Sequence, residues 1–507
     1  MKEFQRDLVN AWNDFVAGRI DGAALKGHTV GFGIYPQRDG CVMMRVRRLG
    51  GRIAPAEMRA LAAILRRHGG AFAHLTSRQD VQLHCIPADQ VVAALESCEA
   101  AGFPFRGGGG DTFRNVRISS HSGLHRDSVF DVAPYARALS RAFYAYDLAY
   151  ALPRKLKIAF ADRPADSAVA QANDLGFVAR VVDGRRVFET FLGGGLGFRP
   201  RLGLKVFDAL PAADCIRAAR ALTRLFNDKG CRTNRAHARI RFLREDFGDE
   251  AFARLFGEYF DSTPPEAAVE PEPSAPPAAT SFAVDAAPLA GYDEWRQLAC
   301  TDLANGLCAV RVFVPFGNLA PDELDLLAAA FSDNGVEELE ILPTLDFGLI
   351  VPRNRTAAVY NLLSALPRDY VARSFVGNVR TCIGCTVCKS GATDAPAAGR
   401  AVAELFDTLR PLDTPKKIAV ARMLLDDVRI SGCPNSCTAQ QLAKLGFAGR
   451  GSPDGDRETV YTPAVAFPPA LGVPDPAYAP ISLAELPRFV LARCQDSAAD
   501  LASAARS

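Results

Sequence analysis

Long apolar runs are missing from this 507-residue chain. No stretch of about 18 uncharged apolar residues occurs, which excludes a conventional membrane-spanning helix. The amino-terminal Met1-Lys2-Glu3-Phe4-Gln5-Arg6-Asp7 carries charge where a secretory leader has an apolar centre. No membrane attachment and a cytoplasmic location are therefore expected. All seven histidines lie at or before His237, so the carboxy-terminal half offers no imidazole to a metal. A dinucleotide fingerprint is lacking too. The glycine run from Leu192 to Gly197 continues Phe198-Arg199-Pro200, with proline where the third glycine should fall. No NADPH or flavin domain is expected, and no nucleic-acid recognition motif occurs.

What is present is ordinary in bulk: 49 % hydrophobic and 23 % charged residues, in a length that predicts about three domains. The net charge of +2 conceals an asymmetry, because residues 1–260 carry +12 and residues 261–507 carry −10. A basic half of that size calls for an anionic ligand. Of the 13 cysteines, Cys41, Cys85, Cys98, Cys215, Cys231, Cys300, Cys308 and Cys494 are scattered singly. They read as free thiols in a reducing compartment rather than a disulfide framework.

Residues 262–290, rich in Pro and Ala, read as an extended linker. The flanking segments resemble one another. Each runs strand, helix opened by a proline (Pro55, Pro321), then an alternating strand. Such a repeat predicts an internal pseudo-twofold. Residues 1–24 predict a helical arm (Phe4, Leu8, Trp12, Phe15) that wraps the other half, and the last 30 residues predict a terminal helix and frayed tail.

The most specific pattern is cysteine. Cys382 and Cys388 stand in T-C-I-G-C-T-V-C-K, and Cys433 and Cys437 in S-G-C-P-N-S-C. Four thiolates from two loops suit a cubane iron–sulfur cluster, with Gly432 and Pro434 shaping the second loop. Cys385 leaves a zinc site of Cys382, Cys385, Cys433 and Cys437 open on spacing alone.

Upstream, Ala151-Leu-Pro-Arg-Lys-Leu-Lys157 places Lys155 and Lys157 on one face of an extended segment, an arrangement suited to an anion. Arg45 lies in M-R-V-R and Arg114 in F-R-N-V; a guanidinium fork matches an oxyanion. Arg78 and Gln82, in L-T-S-R-Q-D-V-Q-L-H, are expected to alternate onto one strand face.

Together with the cysteine loops, these motifs resemble the sirohaem- and [4Fe-4S]-dependent sulfite and nitrite reductase family from about residue 25 to 460. The resemblance implies an α+β fold of three-lobed, pseudo-twofold architecture, with two ferredoxin-like half-domains paired and two α+β sirohaem/Fe-S domains around the cofactors. The boundaries it implies are an arm over 1–24, half-domains over 25–104 and 291–366, a first sirohaem and substrate domain over 105–261, the linker over 262–290, and an Fe-S/sirohaem domain with its tail over 367–507. It implies that Cys382, Cys388, Cys433 and Cys437 bind the cluster, that Cys437 also bridges to the sirohaem iron, and that Cys385 is a spare thiol. Arg45, Arg114, Lys155 and Lys157 would face the substrate. Arg78, Gln82, Arg154 and Arg239 would meet the macrocycle, with its eight carboxylates, and the 192–197 glycines would border it. His74 sits where relatives often have Arg, and either a carboxylate-binding or a packed histidine fits. Thr438 departs from the Gly usual after the last cysteine, which questions the local backbone.

The implied activity is six-electron reduction of sulfite to sulfide. Nitrite-specific members commonly carry Asn at the second lysine, so Lys157 favours sulfite; nitrite reduction to ammonia, or both activities, is the alternative. Crowding by cations should lower the pKa of Lys155 or Lys157 and fit either one to donate protons. Electrons would come from ferredoxin or a separate flavoprotein. The cobalamin-pathway relative that oxidises a precorrin does not need the four cations. A plain electron carrier or zinc scaffold leaves the basic half unexplained.

Overall fold

The computed structural model describes residues 3–265, 281–451, 460–465, 473–474 and 479–504. The central stretch of the predicted linker, 266–280, lies outside the described residues, as does the side chain of Phe4.

In the first half the strands are β1 (Ile34–Pro36), β2 (Val42–Val46), β3 (Arg52–Ile53), β4 (Phe72–Leu75) and β5 (Val81–Ile86). They are followed by β6 (Arg117–Ile118), β7 (Ile158–Ala161), β8 (Leu175–Val182), β9 (Arg185–Leu192) and β10 (Leu204–Pro211). The second half repeats the series: β11 (Cys300–Asp302), β12 (Leu307–Val312), β13 (Asn318–Leu319), β14 (Leu339–Ile341) and β15 (Phe347–Pro352). Then come β16 (Arg380–Thr381), β17 (Val428–Ser431), β18 (Leu445–Arg450) and β19 (Val460–Val465).

Each half contributes one antiparallel sheet and one mixed sheet. The antiparallel sheets run β1-β2-β5-β4-β13 and β11-β12-β15-β14-β3. The two halves therefore exchange an edge strand: β13 pairs with β4, and β3 pairs with β14. This exchange covers a sheet edge in each half, which is how an exposed edge is protected. In the mixed sheets, β6, β7 and β8 are parallel with β9 antiparallel, and β16, β17, β18 and β19 repeat that pattern.

The repeat is visible in local chemistry. Helices Pro55–Arg67 and Pro321–Asp333 both open on proline, and both fold back a first-turn glutamate. Glu57 Oε2 accepts from the Ala54 amide at 2.8 Å, and Glu323 Oε2 from the Ala320 amide at 2.7 Å. Each carboxylate satisfies an amide at the helix start. The two helices pack together, tied at their ends by Arg66 to Asp322.

One apolar core runs through both antiparallel sheets and the cysteine-bearing domain, from Leu8 to Cys494. A second core, rich in Phe, fills the domain between Phe113 and Phe260.

Two expectations change. The arm is anchored on its own half: the Trp12 indole donates to the Ala88 carbonyl at 2.7 Å, because a buried indole N–H needs an acceptor and this one is adjacent. A second short helix, Gly22–Thr29, continues past residue 24. Residues 281–290 pack on the second half instead of spanning open space. Phe282 is buried, and the Ala290 carbonyl accepts from the Tyr360 hydroxyl at 2.6 Å. No described helix is long and apolar enough to cross a membrane.

Candidate active site

The site forms where the mixed sheet of one half meets that of the other. The lysines precede β7, and Arg114 and Asn115 precede β6. In the second half, Cys382 follows β16, while Cys433 and Cys437 follow β17.

The second cysteine loop is built by a close backbone approach. The Gly432 amide donates to Cys382 Sγ at 3.1 Å, while its carbonyl accepts from the amides of Ala392 and Thr393 at 2.9 and 3.0 Å. A Cβ at Gly432 would meet the Thr393 carbonyl oxygen at 2.6 Å, so only glycine fits. Thr438 causes no strain: the left-handed residues are Ser436 and Ala439, and the Thr438 hydroxyl pairs with that of Ser431 at 2.7 Å.

Cys382, Cys388, Cys433 and Cys437 form one electrostatic group. Burial, then neighbouring thiols, raises Cys437 and Cys433 and pushes Cys382 up to about 12. Such thiols hold their protons until a metal displaces them. Cys385 is raised by burial and then by Asp394, with a smaller contribution from Cys388, so it adjoins the same group of thiols. Among the described residues, no three His, Cys, Asp or Glu side chains converge as a single-ion site requires. A cubane asks less of them, since it spreads four thiolates around a larger object. Cys437 is solvent-accessible although burial dominates its pKa, the mark of a residue lining a depression.

Lys155 and Lys157 lie beside that thiol and are among the charges that act on it. The segment is not a regular strand: it makes a single bridge, Leu156 with Phe113, and alternation around buried Leu156 still sends both lysines the same way. Burial first, then Arg239, Arg114 and Arg154, lowers Lys155 to about 7. Burial and Lys155 bring Lys157 well below the ordinary lysine range. Among the described residues no carboxylate forms an ion pair with either ammonium group.

Arg114 is held by backbone. Its Nη1 donates to the carbonyls of Gly109 and Thr112, both at 2.8 Å, and its Nη2 to Gly110 at 2.9 Å. Arg45 bonds the Gly108 carbonyl, and Arg47 Nη1 bonds Arg106 at 3.0 Å. The stretch 106–110 thus collects three guanidinium groups, two of them on its glycines. Its run of four glycines is the sequence signal for this turn. A Cβ at Gly109 would lie 2.0 Å from the Val30 carbonyl oxygen.

Arg78 and Gln82 do not share a strand face, since Arg78 lies in the turn before β5. Its guanidinium reaches across to Asn115 O at 2.5 Å, Ile158 O at 3.1 Å and Asn173 Oδ1 at 3.0 Å. Burial, then Arg117, lowers it to about 9. Gln82 is in register with Arg45 on one side and His74 on the other. His74 is packed: its Nδ1 meets Asn318 Oδ1 at 2.7 Å, and burial lowers it to about 4. Arg239 is paired with Asp174 at 2.9 Å, and Arg154 with Asp111 at 3.1 Å.

Three further residues close the site, none with a sequence signal of its own. The Ser77 hydroxyl donates to the Cys437 carbonyl at 2.6 Å. Gln441 pairs with both backbone groups of Gly197, at 2.7 and 3.0 Å, which docks the 192–197 loop against the second cysteine loop. Arg38 donates to the carbonyls of Cys388 and Gly391 at 3.2 and 3.1 Å.

The donor set fits a polycarboxylate macrocycle. Among the described residues the buried Nε atoms of Arg47, Arg78, Arg239 and Arg241 have no acceptor, and unpaired buried donors of this kind are costly without a ligand.

Comparison with known proteins agrees. Residues 109–263 match the family model "Nitrite and sulphite reductase 4Fe-4S domain", and residues 35–101 match "Nitrite/Sulfite reductase ferredoxin-like half domain". The four cysteines lie in the pseudo-twofold counterpart of the first of these stretches. Sulfite reductase [ferredoxin] 2 of Mycolicibacterium paratuberculosis is 26 % identical over 90 % of this chain and 81 % of its own length. Ferredoxin–nitrite reductase of Synechococcus elongatus is 28 % identical over 82 % of this chain and 77 % of its own. The structure of Mycobacterium tuberculosis NirA superposes with a TM-score of 0.76 at 23 % identity, covering 96 % of this chain and 90 % of that one, and shares its fold. Two domain models of the nitrite and sulfite reductase family thus match this chain in sequence order, and sulfite and nitrite reductases align along most of its length.

Proposed function

We propose that the chain reduces sulfite to sulfide with six electrons, and that Arg45, Arg114, Lys155 and Lys157 hold the substrate oxygens. The observation that carries this reading is the pair of ammonium groups beside Cys437, without carboxylate partners among the described residues. Cys382, Cys388, Cys433 and Cys437 would ligate a [4Fe-4S] cluster, with Cys437 shared with a sirohaem iron. Arg78, Gln82, Arg154 and Arg239 would hold the macrocycle. The bound cofactor pair supplies one-electron chemistry and an open coordination position.

The protein's own contribution is charge and protons. An oxyanion entering between Lys155 and Lys157 relieves their mutual repulsion, which favours the protonated form of each. Oxygen leaves as water only when protonated, and a lysine near pH 7 in the unliganded site can both give up and regain a proton. Lys155, lowered to about 7 by burial and then by the neighbouring arginines, is suited to act as the donor. Arg114, tied to three carbonyls, stays fixed while the substrate changes charge.

Electrons would come from ferredoxin or a separate flavoprotein, in the cytoplasm. Nitrite reduction to ammonia is the second reading, favoured by the similarity to a nitrite reductase. An absorption spectrum of purified protein with Soret and long-wavelength bands, followed by rates on sulfite and nitrite with a reduced dye, tests both. A colourless preparation rejects the proposal.

A further inference from the structure

Away from the lysines lies a second concentration of positive charge. Arg117 opens β6 and Arg380 opens β16, so they are pseudo-twofold counterparts. Arg429, in β17, is the register partner of Arg380. The three charges act on one another across the axis between the halves. Arg380 is only 6 % exposed. Each of the three has a buried Nε without an acceptor. Among the described residues nothing accepts a hydrogen bond from Arg117 or Arg380, and Arg429 makes one, from Nη1 to Ala439 O at 3.1 Å.

The carboxylates that act on these arginines are already taken. Asp346 and Asp426 pair with Arg311 at 2.7 and 3.1 Å. Asp427 pairs with Lys444 at 2.9 Å, and Asp166 with Arg163 at 2.9 Å. Three guanidinium groups withdrawn from bulk water, with no carboxylate in direct ion-pair contact among the described residues, are unfavourable unless an anion from outside the chain completes them. The group is continuous with the site already described, because Arg117 is the main charge acting on Arg78. Two of the cations assigned there to the macrocycle, Arg154 and Arg239, are engaged by Asp111 and Asp174. A ligand with many carboxylates therefore needs further cations, and these three keep a buried Nε without an acceptor among the described residues.

We propose that Arg117, Arg380 and Arg429 form a carboxylate cradle for the side chains of the tetrapyrrole, contributed by both halves across the pseudo-twofold axis. The inference rests on the sirohaem reading above. Planar forks suit carboxylates bidentately, and among the described residues Arg117 and Arg380 have no side-chain acceptor while Arg429 has only the Ala439 carbonyl.

The test compares purified holoprotein of the parent, Arg117→Met, Arg380→Met and the charge-keeping Arg117→Lys and Arg380→Lys. Sirohaem per chain is read from absorbance, cluster from acid-labile sulfide, and folding from thermal unfolding. Each methionine variant should retain the macrocycle about tenfold more weakly on dilution, one charge-assisted contact's worth, with cluster content unchanged. The lysine variants should fall between. Retention equal to the parent's overturns the proposal. So does a rise in sulfite KM with full sirohaem content, which would mark a site for a small inorganic anion. Loss of macrocycle and cluster together at a lower melting temperature, in the lysine as well as the methionine variants, marks a structural role and overturns it too. A parent without sirohaem rejects the cofactor reading itself, a result separable from every variant result.

Discussion

The two halves share a backbone plan and divide the chemistry. In the first, the residues before the parallel strands carry the charge: Arg114 before β6, Lys155 and Lys157 before β7. In the second, the residues after the parallel strands carry the sulfur: Cys382 after β16, Cys433 and Cys437 after β17. In the proposed function the first half would supply the substrate-facing cations and the second half the thiolates, with Arg380 and Arg429 adding cations from the second half. Duplication gave a symmetric scaffold, and function used opposite strand ends of its two copies. Those ends meet, since Lys155 and Lys157 act on Cys437.

The largest effect should come from the second half. Cys437→Ala should abolish activity and the visible bands, whereas no single cation of the first half should remove the cluster; acid-labile sulfide and absorbance on both variants check this. Next, Lys155→Met should lower kcat by roughly 10²–10⁴-fold, the usual reach of a lost general acid. In the parent, the rate should fall as pH rises through about 7 or above, because the donor must be protonated and bound anions raise its pKa. A pH–rate profile of the variant should lack that limb. Lys157→Asn should lower kcat/KM for sulfite about tenfold more than for nitrite. Equal losses on the two substrates would remove Lys157 from substrate discrimination.

The junction between halves gives a smaller effect. His121 Nδ1 meets Glu340 Oε2 at 2.8 Å, joining the first large domain to β14. Burial raises the Glu340 carboxyl, but His121 and Arg52 outweigh it and leave it below its ordinary value. Its contribution to stability is therefore complete above the unfolded value of about 4.3 and is lost as pH falls through the lower, folded value. Glu340→Gln should cost about 3 kcal/mol at neutral pH by denaturant unfolding, and flatten the stability loss at acid pH. Smallest, Trp12→Phe should cost about 1 kcal/mol, the worth of one hydrogen bond, in the same measurement.

Much of the scaffold was legible because it is local. Proline at positions 55 and 321, with glutamate two residues on, announces both helices in the chain itself. The exchange of β3 and β13 was not legible, because two-residue strands carry no periodicity and their partners lie in the other half. In the site, Lys155 and Lys157 stood out by spacing. Ser77, Gln441 and Arg38 did not, because each acts on a backbone group more than 200 residues away. The alternation expected of Arg78 and Gln82 fails because the chain turns at 77–79 before β5 begins at Val81, and the Arg78 side chain is held by carbonyls of another domain.

By itself, the sequence determined the repeat, the four thiols in two loops and the unequal charge of the halves, since composition and spacing are properties of the chain. Only the tertiary structure decided which cations remain without a counter-ion. Pairing depends on distance through space, and the carboxylates that engage Arg239 and Arg154, while among the described residues none ion-pairs with Lys155, Arg117 or Arg380, are assigned by folding alone.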